Sequence, residues 1–252
     1  MTTTELAQDG SVVVRTLLAP GRGLAEAIGR RRVATALGVA TLVSIVFAGV
    51  LAPRLDYDAV VARKLARATP EAETEAVELT QHQREEAVAT ARKLGNVSTW
   101  TAAALWPSVA ALLAAAALFV GFRVAGTKPA FKETFAAVAH GMMPVWLAPL
   151  LAIPAVVVRG TLTPDEVPRL LPSSLAALVP AAPPPLLAAL GALDLFSLWA
   201  LALVALGMAR ASGASRRRAL AVTTVLFVAY VALLQISLPA LLAGGPGPNG
   251  GS

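Results

Sequence analysis

The chain contains no cysteine, which excludes disulfide bonds, thiol nucleophiles and thiolate metal ligands. Charged residues make up only 14% of the sequence and aromatic residues only 5%. Soluble globular domains carry about 25% charged residues, so this composition disfavours a soluble fold. The sequence also lacks a glycine-rich phosphate loop, an HExxH pair and a GxSxG elbow. We therefore expect no cofactor and no enzyme activity.

Apolar side chains are abundant instead, at 56% of the residues, and the mean hydropathy is +0.68. They are grouped in runs of about 20 residues, the length that an α-helix needs to cross a bilayer. The sequence therefore predicts an all-α fold, a polytopic membrane helix bundle with five transmembrane helices. An extramembrane helical loop is expected between the first and second of these helices.

The composition shifts along the chain predict its organisation. The predicted spans cover residues 33–52, 99–122, 135–158, 186–209 and 219–242. An amphipathic segment (1–32) precedes them and a disordered tail (243–252) follows. The connections are a helical loop (53–98), a basic turn (123–134), a connection (159–185) and a second basic turn (210–218). Within the loop, Thr69-Pro70 predicts the start of a helix and Gly95-Asn96 predicts its end.

Basic residues predict the orientation of the spans. The net charge is +6, and the lysines and arginines lie in short groups beside apolar runs, so no nucleic acid partner is expected. Twelve of them fall in the short segments on one side and two in the segment opposite. By the positive-inside rule the N-terminus is cytoplasmic and the C-terminus extracytoplasmic. We expect the protein in a bacterial inner membrane.

The N-terminal segment has two interpretations. Its apolar residues alternate with arginines, which is typical of an interfacial helix lying on an anionic leaflet. The triple arginine Arg30 to Arg32 is also a common orientation signal beside a span. The second interpretation is favoured.

Asp194 is the single acidic residue that falls within a predicted span. At about 1.5 Å per residue it lies roughly 22 Å from the cytoplasmic end of the fourth span, and Gln235 lies roughly 24 Å from that end of the fifth. The two side chains are therefore expected to meet, with Tyr230 as a further polar group. One interpretation makes Asp194 a proton or cation site, and the other, which we favour, makes it an interhelical hydrogen-bonding residue.

The third span contains Pro144, Pro149 and Pro154. Each proline lacks a backbone N–H, so a kinked helix is expected. His140 near the start of this span is either a proton-relay residue or, as we favour, a histidine whose hydrogen bonds are satisfied locally.

Glu78 and His82 lie one helical turn apart in the 53–98 loop. This spacing is compatible with two ligands of a divalent cation. No third ligand is implied, and a solvated acidic face is the favoured interpretation, so we expect no bound metal.

Several stretches resemble the Yip1 family. They are Gly126 to Phe135 leading to His140-Gly141 and Pro144, the D-x-F-x-x-W span from Asp194 to Trp199, Leu206-Gly207, and Ser215 to Ala219. The resemblance covers most of residues 15–242. The positions that carry it best are Lys128, Phe131, Pro144, Phe196, Trp199 and Gly207.

The resemblance implies five spanning helices with a cytoplasmic N-terminus. Eukaryotic members of the family act in vesicle traffic with prenylated small GTPases, and some bacterial members resemble accessory partners of ABC transporters. From this sequence we expect a polar loop after the first span and no long cytoplasmic N-terminal domain. A small GTPase is therefore a less expected partner than an ABC transporter.

Together these observations predict an integral membrane scaffold or adaptor that acts through protein–protein or protein–lipid contacts. Its expected partners are the lipid bilayer and other membrane proteins, and its role lies in membrane trafficking or beside a transporter. The alternative is a small transporter or a proton- or cation-coupled channel that uses Asp194.

Overall fold

The computed structural model describes residues 12–30, 33–68, 80–164, 166, 167, 170–179, 181 and 183–237. In these residues the regular structure is helical. Five helical stretches are long and apolar enough to cross a membrane: Ala34–Arg54, Gln81–Val124, Phe131–Arg159, Leu195–Ser212 and Arg216–Ser237. The predicted all-α bundle with five transmembrane helices is therefore confirmed, and the chain is an integral membrane protein.

The helices are numbered in chain order after a first helical segment, residues 12–18. They are α1 (Pro20–Arg30), α2 (Ala34–Leu51), α3 (Tyr57–Ala68), α4 (Gln81–Val124), α5 (Phe131–Gly141), α6 (Met143–Arg159), α7 (Pro184–Ala192), α8 (Leu195–Ser212) and α9 (Arg216–Tyr230). Two 3₁₀ turns occur at Ala52–Arg54 and Leu175–Leu178, and a π-helical segment, Val231–Ser237, continues α9.

The chain forms two compact units. The first contains Met1–Ala40, Ser108–Ala148 and Pro172–Ser252. Its main core joins α1, α4, α5, α8 and α9 around the fully buried side chains of Leu24, Phe122, Val138 and Met208. A second cluster, around Met143 and Trp146, packs against α2. These apolar contacts order the helices that carry most of the candidate residues.

The N-terminal helix α1 belongs to this core. Leu24 and Ala27 are almost completely buried and Ile28 is 8% exposed. Leu24 and Ile28 pack in the cluster that includes α5 and α8. The apolar face of α1 is thus covered by protein, which contradicts an interfacial position for that face, whereas Val14 and Leu18 in the preceding helical segment are 53% and 81% exposed.

The second unit contains Thr41–Pro107 and Pro149–Leu171. Its core is formed by Leu51, Ala152, Val156, Leu162 and Leu170. Backbone hydrogen bonds hold the segment that follows α2 against the segment that follows α6: the Leu162 N–H donates to the carbonyl of Arg54, and the Asp56 N–H donates to the carbonyl of Leu162, each at 2.8 Å.

The predicted helix end at Gly95-Asn96 is wrong, because α4 runs without interruption from Gln81 to Val124. Both residues serve a contact with α3. A Cβ on Gly95 would overlap the ring of Tyr57, and the Tyr57 hydroxyl donates to Asn96 Oδ1 at 3.3 Å. Gly95 is therefore required by the close approach of an aromatic ring, not by a left-handed cap. The predicted start at Thr69-Pro70 lies outside the described residues, and α4 begins after Thr80.

Tyr57 is 6% exposed. Burial raises the pKa of its hydroxyl above the ordinary value of 10.0, against a smaller lowering of that pKa by the charge of Arg92. The docked ring is thus held in a poorly hydrated site outside the five spanning stretches.

The third span is interrupted, as its prolines predict. The helix stops after Gly141 and restarts at Met143, with Pro144 in the first turn of α6. Proline is accepted there because the first N–H groups of a helix have no intrahelical partner. Pro149 and Pro154 lie within the continuous part of α6.

Candidate functional site

The closest helix contact in the first unit lies between α5 and α8. A Cβ on Gly207 would lie 2.9 Å from the Cβ of Ala137, and a Cβ on Gly141 would lie 2.9 Å from the backbone nitrogen of Val204. Both distances are shorter than real Cβ contacts allow. Small residues let two helix backbones approach, and such approach is a main source of helix association in membranes. Gly207 is one of the positions that carry the family resemblance, and the close packing of α5 against α8 explains why a glycine is needed there.

The fourth predicted span is divided immediately before Asp194. Helix α7 ends at Ala192, and Asp194 is the N-cap of α8. Its Oδ1 accepts from the backbone N–H of Phe196 at 2.8 Å and from that of Ser197 at 3.1 Å, and its Oδ2 accepts from the Ser197 hydroxyl. The prediction that Asp194 lies inside an unbroken helix is therefore wrong, since Asp194 precedes the helical stretch Leu195–Ser212.

The physical reason is that a carboxylate is more stable at the N-terminus of a helix than inside a spanning helix. Within a bilayer-spanning helix a charged residue costs about 2.5–3.5 kcal/mol. At a helix N-terminus it satisfies N–H groups that have no intrahelical partner and lies at the positive end of the helix dipole. The remaining 18 residues of α8 still reach about 27 Å, close to the thickness of the hydrocarbon core.

The expected pair of Asp194 and Gln235 is not formed. Gln235 lies in the π-helical segment, and its Nε2 donates to the Tyr230 hydroxyl at 2.9 Å. Both side chains are exposed. Asp194 is held instead beside Ser174, where the Leu195 N–H donates to the carbonyl of Ser173 at 3.2 Å. The pair does not form because each side chain has a partner close by in the sequence: Asp194 accepts from the start of its own helix, and Gln235 donates to Tyr230.

His140 is 2% exposed near the end of α5. Its Nδ1 lies 3.0 Å from the carbonyl oxygen of Ala136, one turn earlier in the same helix. A hydrogen bond within its own helix agrees with the favoured interpretation of a locally satisfied histidine.

The other residues of the family resemblance lie at several positions of the first unit. Phe131 begins α5 and stacks on Phe135 at a centroid distance of 6.1 Å, with Phe119 edge-on at 5.5 Å. Lys128 is exposed in the α4–α5 turn, and Pro144 is buried at the start of α6. Phe196 and Trp199 lie in the first turns of α8, where Trp199 is 40% exposed.

Two arginines join the chain connections at one end of this unit. Arg210, in the last turn of α8, donates to the carbonyl of Gly21 in α1. Arg218, in the first turn of α9, donates to the carbonyl of Ala125 in the α4–α5 turn. We call this region the basic end. It comprises the first turns of α1, α5 and α9, the last turn of α8, and the α4–α5 and α8–α9 turns.

Of the two candidate metal ligands, Glu78 and His82, the structure describes only His82. His82 is exposed on α4, where its Nε2 lies 3.2 Å from Glu86 Oε1. Glu78 lies outside the described residues. Among the side chains that the structure describes, no three of His, Asp and Glu gather at distances suited to a metal ion.

The α5–α8 contact and the main-chain bonds of the basic end are not predicted from the sequence. A signal for the first was present, because Ala137 and Gly141 are separated by one turn, as are Gly207 and Ala211. Such small-xxx-small spacing is typical of close helix pairs. The arginine bonds carry no local signal, since each connects residues that are far apart in the sequence.

The chain was compared with protein families, curated proteins and solved structures. Residues 14–237 match the family model of the Yip1 domain. No curated protein and no solved structure matches the chain.

Proposed function

Because the chain belongs to the Yip1 domain family, we propose that it is a non-enzymatic membrane scaffold that binds another membrane protein through its basic end. The partner that suits this surface is an integral membrane protein with an acidic cytoplasmic segment, such as a component of an ABC transporter. The proposed orientation places the N-terminus and the basic end in the cytoplasm of a bacterial cell, as the positive-inside rule implies.

The observation that carries the proposal is the pair of arginine bonds at the basic end. Arg210 and Arg218 each donate to a carbonyl of a distant segment. They therefore tie three separate connections into one surface before any partner arrives. A preorganised surface binds with less loss of conformational entropy than a set of independent loops.

The charges left on this surface give it a preference. Lys128, Lys132 and Arg217 are exposed, and they belong to the α4–α5 turn, the first turn of α5 and the first turn of α9. Opposite charge on a partner speeds association and excludes basic competitors. An acidic segment is accordingly the complementary chemistry.

The polar groups of α5 and at the start of α8 support a structural role over catalysis or transport. Asp194 caps α8, and Thr134 donates to the carbonyl of Ala130 at 3.1 Å. His140 contacts the carbonyl of its own helix. These groups satisfy backbone atoms, which is what a fixed helical framework requires.

Site-specific photocrosslinking tests the proposal in native membranes. A photoreactive residue at Lys128 is expected to capture a discrete membrane protein, identified by mass spectrometry, whereas the same probe at exposed Glu86 in the second unit is the control. Substitution of Lys132→Glu and Arg217→Glu should reduce capture at position 128. Equal capture at both probe positions, or capture that survives the charge reversal, would contradict the proposal.

A flux assay addresses the alternative function. Proteoliposomes that contain the purified chain are expected to show no more uptake of a labelled cation than empty vesicles. Reproducible flux that Asp194→Asn abolishes would refute the scaffold and establish a transporter.

A further inference from the structure

A pocket of about 380 Å³ opens at the basic end. Its lining residues come from α1, α8, the α8–α9 turn and the first residue of α9: Gly21, Leu206, Ala209, Arg210, Ala214 and Arg216. Two parts can be distinguished. Leu206, Ala209 and Ala214 are apolar, and Arg210 and Arg216 are basic residues from different helices.

The arginines around this pocket have no carboxylate paired with them in the described residues. Three of them, Arg216 to Arg218, occupy the first turn of α9, which contains no acidic residue. The N-terminus of a helix carries a partial positive charge, so cations there repel it and one another. No ion pair joins Arg210 or any of these three to a carboxylate in the described part of the chain. The site therefore favours a bound anion.

We propose that this pocket binds the headgroup of an anionic phospholipid. The phosphate lies between Arg210 and Arg216, and the glycerol with the first acyl carbons lies against Leu206, Ala209 and Ala214. A guanidinium has five N–H donors, so Arg210 keeps donors for a phosphate while it donates to the carbonyl of Gly21.

The arrangement of the lining residues favours a lipid over a soluble anion. Leu206 and Ala209 lie within the spanning helix Leu195–Ser212, and Arg210 lies in its last turn. The pocket thus changes from apolar to cationic where the span ends, the level at which bilayer phosphates lie. Basic pockets between transmembrane helices are a known form of headgroup site, and a soluble anion would leave the apolar part unused.

Lipid retention by the full chain tests the proposal. The protein is extracted from nanodiscs of mixed phosphatidylglycerol and phosphatidylcholine, and bound lipid is counted by native mass spectrometry. We expect retained phosphatidylglycerol and a higher Tm when that lipid is added. Arg216→Gln should weaken retention about fivefold, as expected for one arginine near a lipid phosphate.

Arg217→Gln is the matched control, because it removes the same charge from the neighbouring residue, which does not line the pocket. It should lower retention less than Arg216→Gln does, and Arg216→Lys should restore most of the loss. Ala214→Leu keeps both arginines but fills the apolar part, and it should also lower retention. Size-exclusion profiles and Tm values without added lipid establish that each variant is folded.

Three outcomes would overturn the proposal. Retention unaffected by Arg216→Gln would show that the pocket is not the site, and an equal loss with Arg217→Gln would show only general surface attraction. Inorganic phosphate that raises the Tm as much as phosphatidylglycerol would assign the pocket to a soluble anion.

Discussion

Gly207 of α8 faces Ala137 of α5 so closely that a Cβ on the glycine would lie 2.9 Å from the Cβ of the alanine. The Ala137 Cβ cannot move away by a change of rotamer, because the position of a Cβ is fixed by its own backbone. Helices α5 and α8 therefore touch at a separation that requires glycine, and Gly141 provides a second such position one turn from Ala137. The framework of the first unit depends on this pair.

Gly207→Ala should destabilise the protein by about 1–3 kcal/mol, the usual cost of an added methyl group in a packed contact. The expected result is a lower Tm of the purified protein in detergent, measured by intrinsic fluorescence or static light scattering.

Gly38→Ala is the control for that substitution. Gly38 lies in α2, and a Cβ there would contact nothing within 4 Å. Because alanine has a higher helix propensity by about 1 kcal/mol, this variant should keep or raise the Tm. A similar loss from both substitutions would contradict the close contact of α5 and α8.

Asp194→Asn should be tolerated, because asparagine is as good an N-cap as aspartate. Asp194→Ala removes the acceptor for the N–H groups of Phe196 and Ser197 and should cost about 0.5–2 kcal/mol. Chemical denaturation followed by circular dichroism measures both values. If the asparagine variant kept its stability but lost the phenotype of the wild-type gene, the charge itself would be functional.

Gly95→Ala should loosen α3 from α4, because the new methyl group would overlap the ring of Tyr57. In a Tyr230→Phe background Tyr57 is the remaining tyrosine, and its ionisation can be followed by absorbance at 295 nm. We expect its pKa above 10.0 in the parent, because of burial, and a return toward 10.0 in the Gly95→Ala variant.

The sign of the pH effect follows from that raised pKa. The stabilising contribution of the neutral ring is complete below the unfolded pKa of about 10 and is lost as the pH rises through the folded pKa. Tyr57→Phe should remove this pH dependence, and Arg92→Gln should raise the pKa of Tyr57 further. An unperturbed titration of Tyr57 in the parent would contradict the docking of α3.

Thr223→Val should keep or raise the Tm. Thr223 is 4% exposed, and its hydroxyl has no hydrogen-bond partner in the described residues. Valine has a similar shape and removes a buried polar group whose isolation costs about 1–3 kcal/mol.

Thr134→Val is the matched comparison, because Thr134 is also buried and its hydroxyl donates to the carbonyl of Ala130. It should lose about 0.5–1.5 kcal/mol. Equal losses at the two positions would show that the Thr223 hydroxyl is also bonded.

Two predictions from the sequence are wrong for the same reason. The sequence pattern predicts a helix end at Gly95-Asn96 and a position inside a helix for Asp194, and the structure contradicts both. Each residue type has two roles: glycine permits a left-handed cap or a close contact, and aspartate is a buried charge or an N-cap. The choice depends on what lies opposite, which is Tyr57 in the first case and the residue pair Ser173 and Ser174 in the second.

The sequence by itself determined the number and approximate position of the spanning helices, because transfer of an apolar segment into a bilayer depends on the length and composition of that segment alone. The tertiary structure decided which glycines touch other helices, where the fourth span starts, and which carbonyls Arg210 and Arg218 bind. These features join residues that are distant in the chain, so no local pattern contains them. Gly207 illustrates this difference. The sequence predicts that it lies in a spanning helix, but only the tertiary structure shows its contact with Ala137.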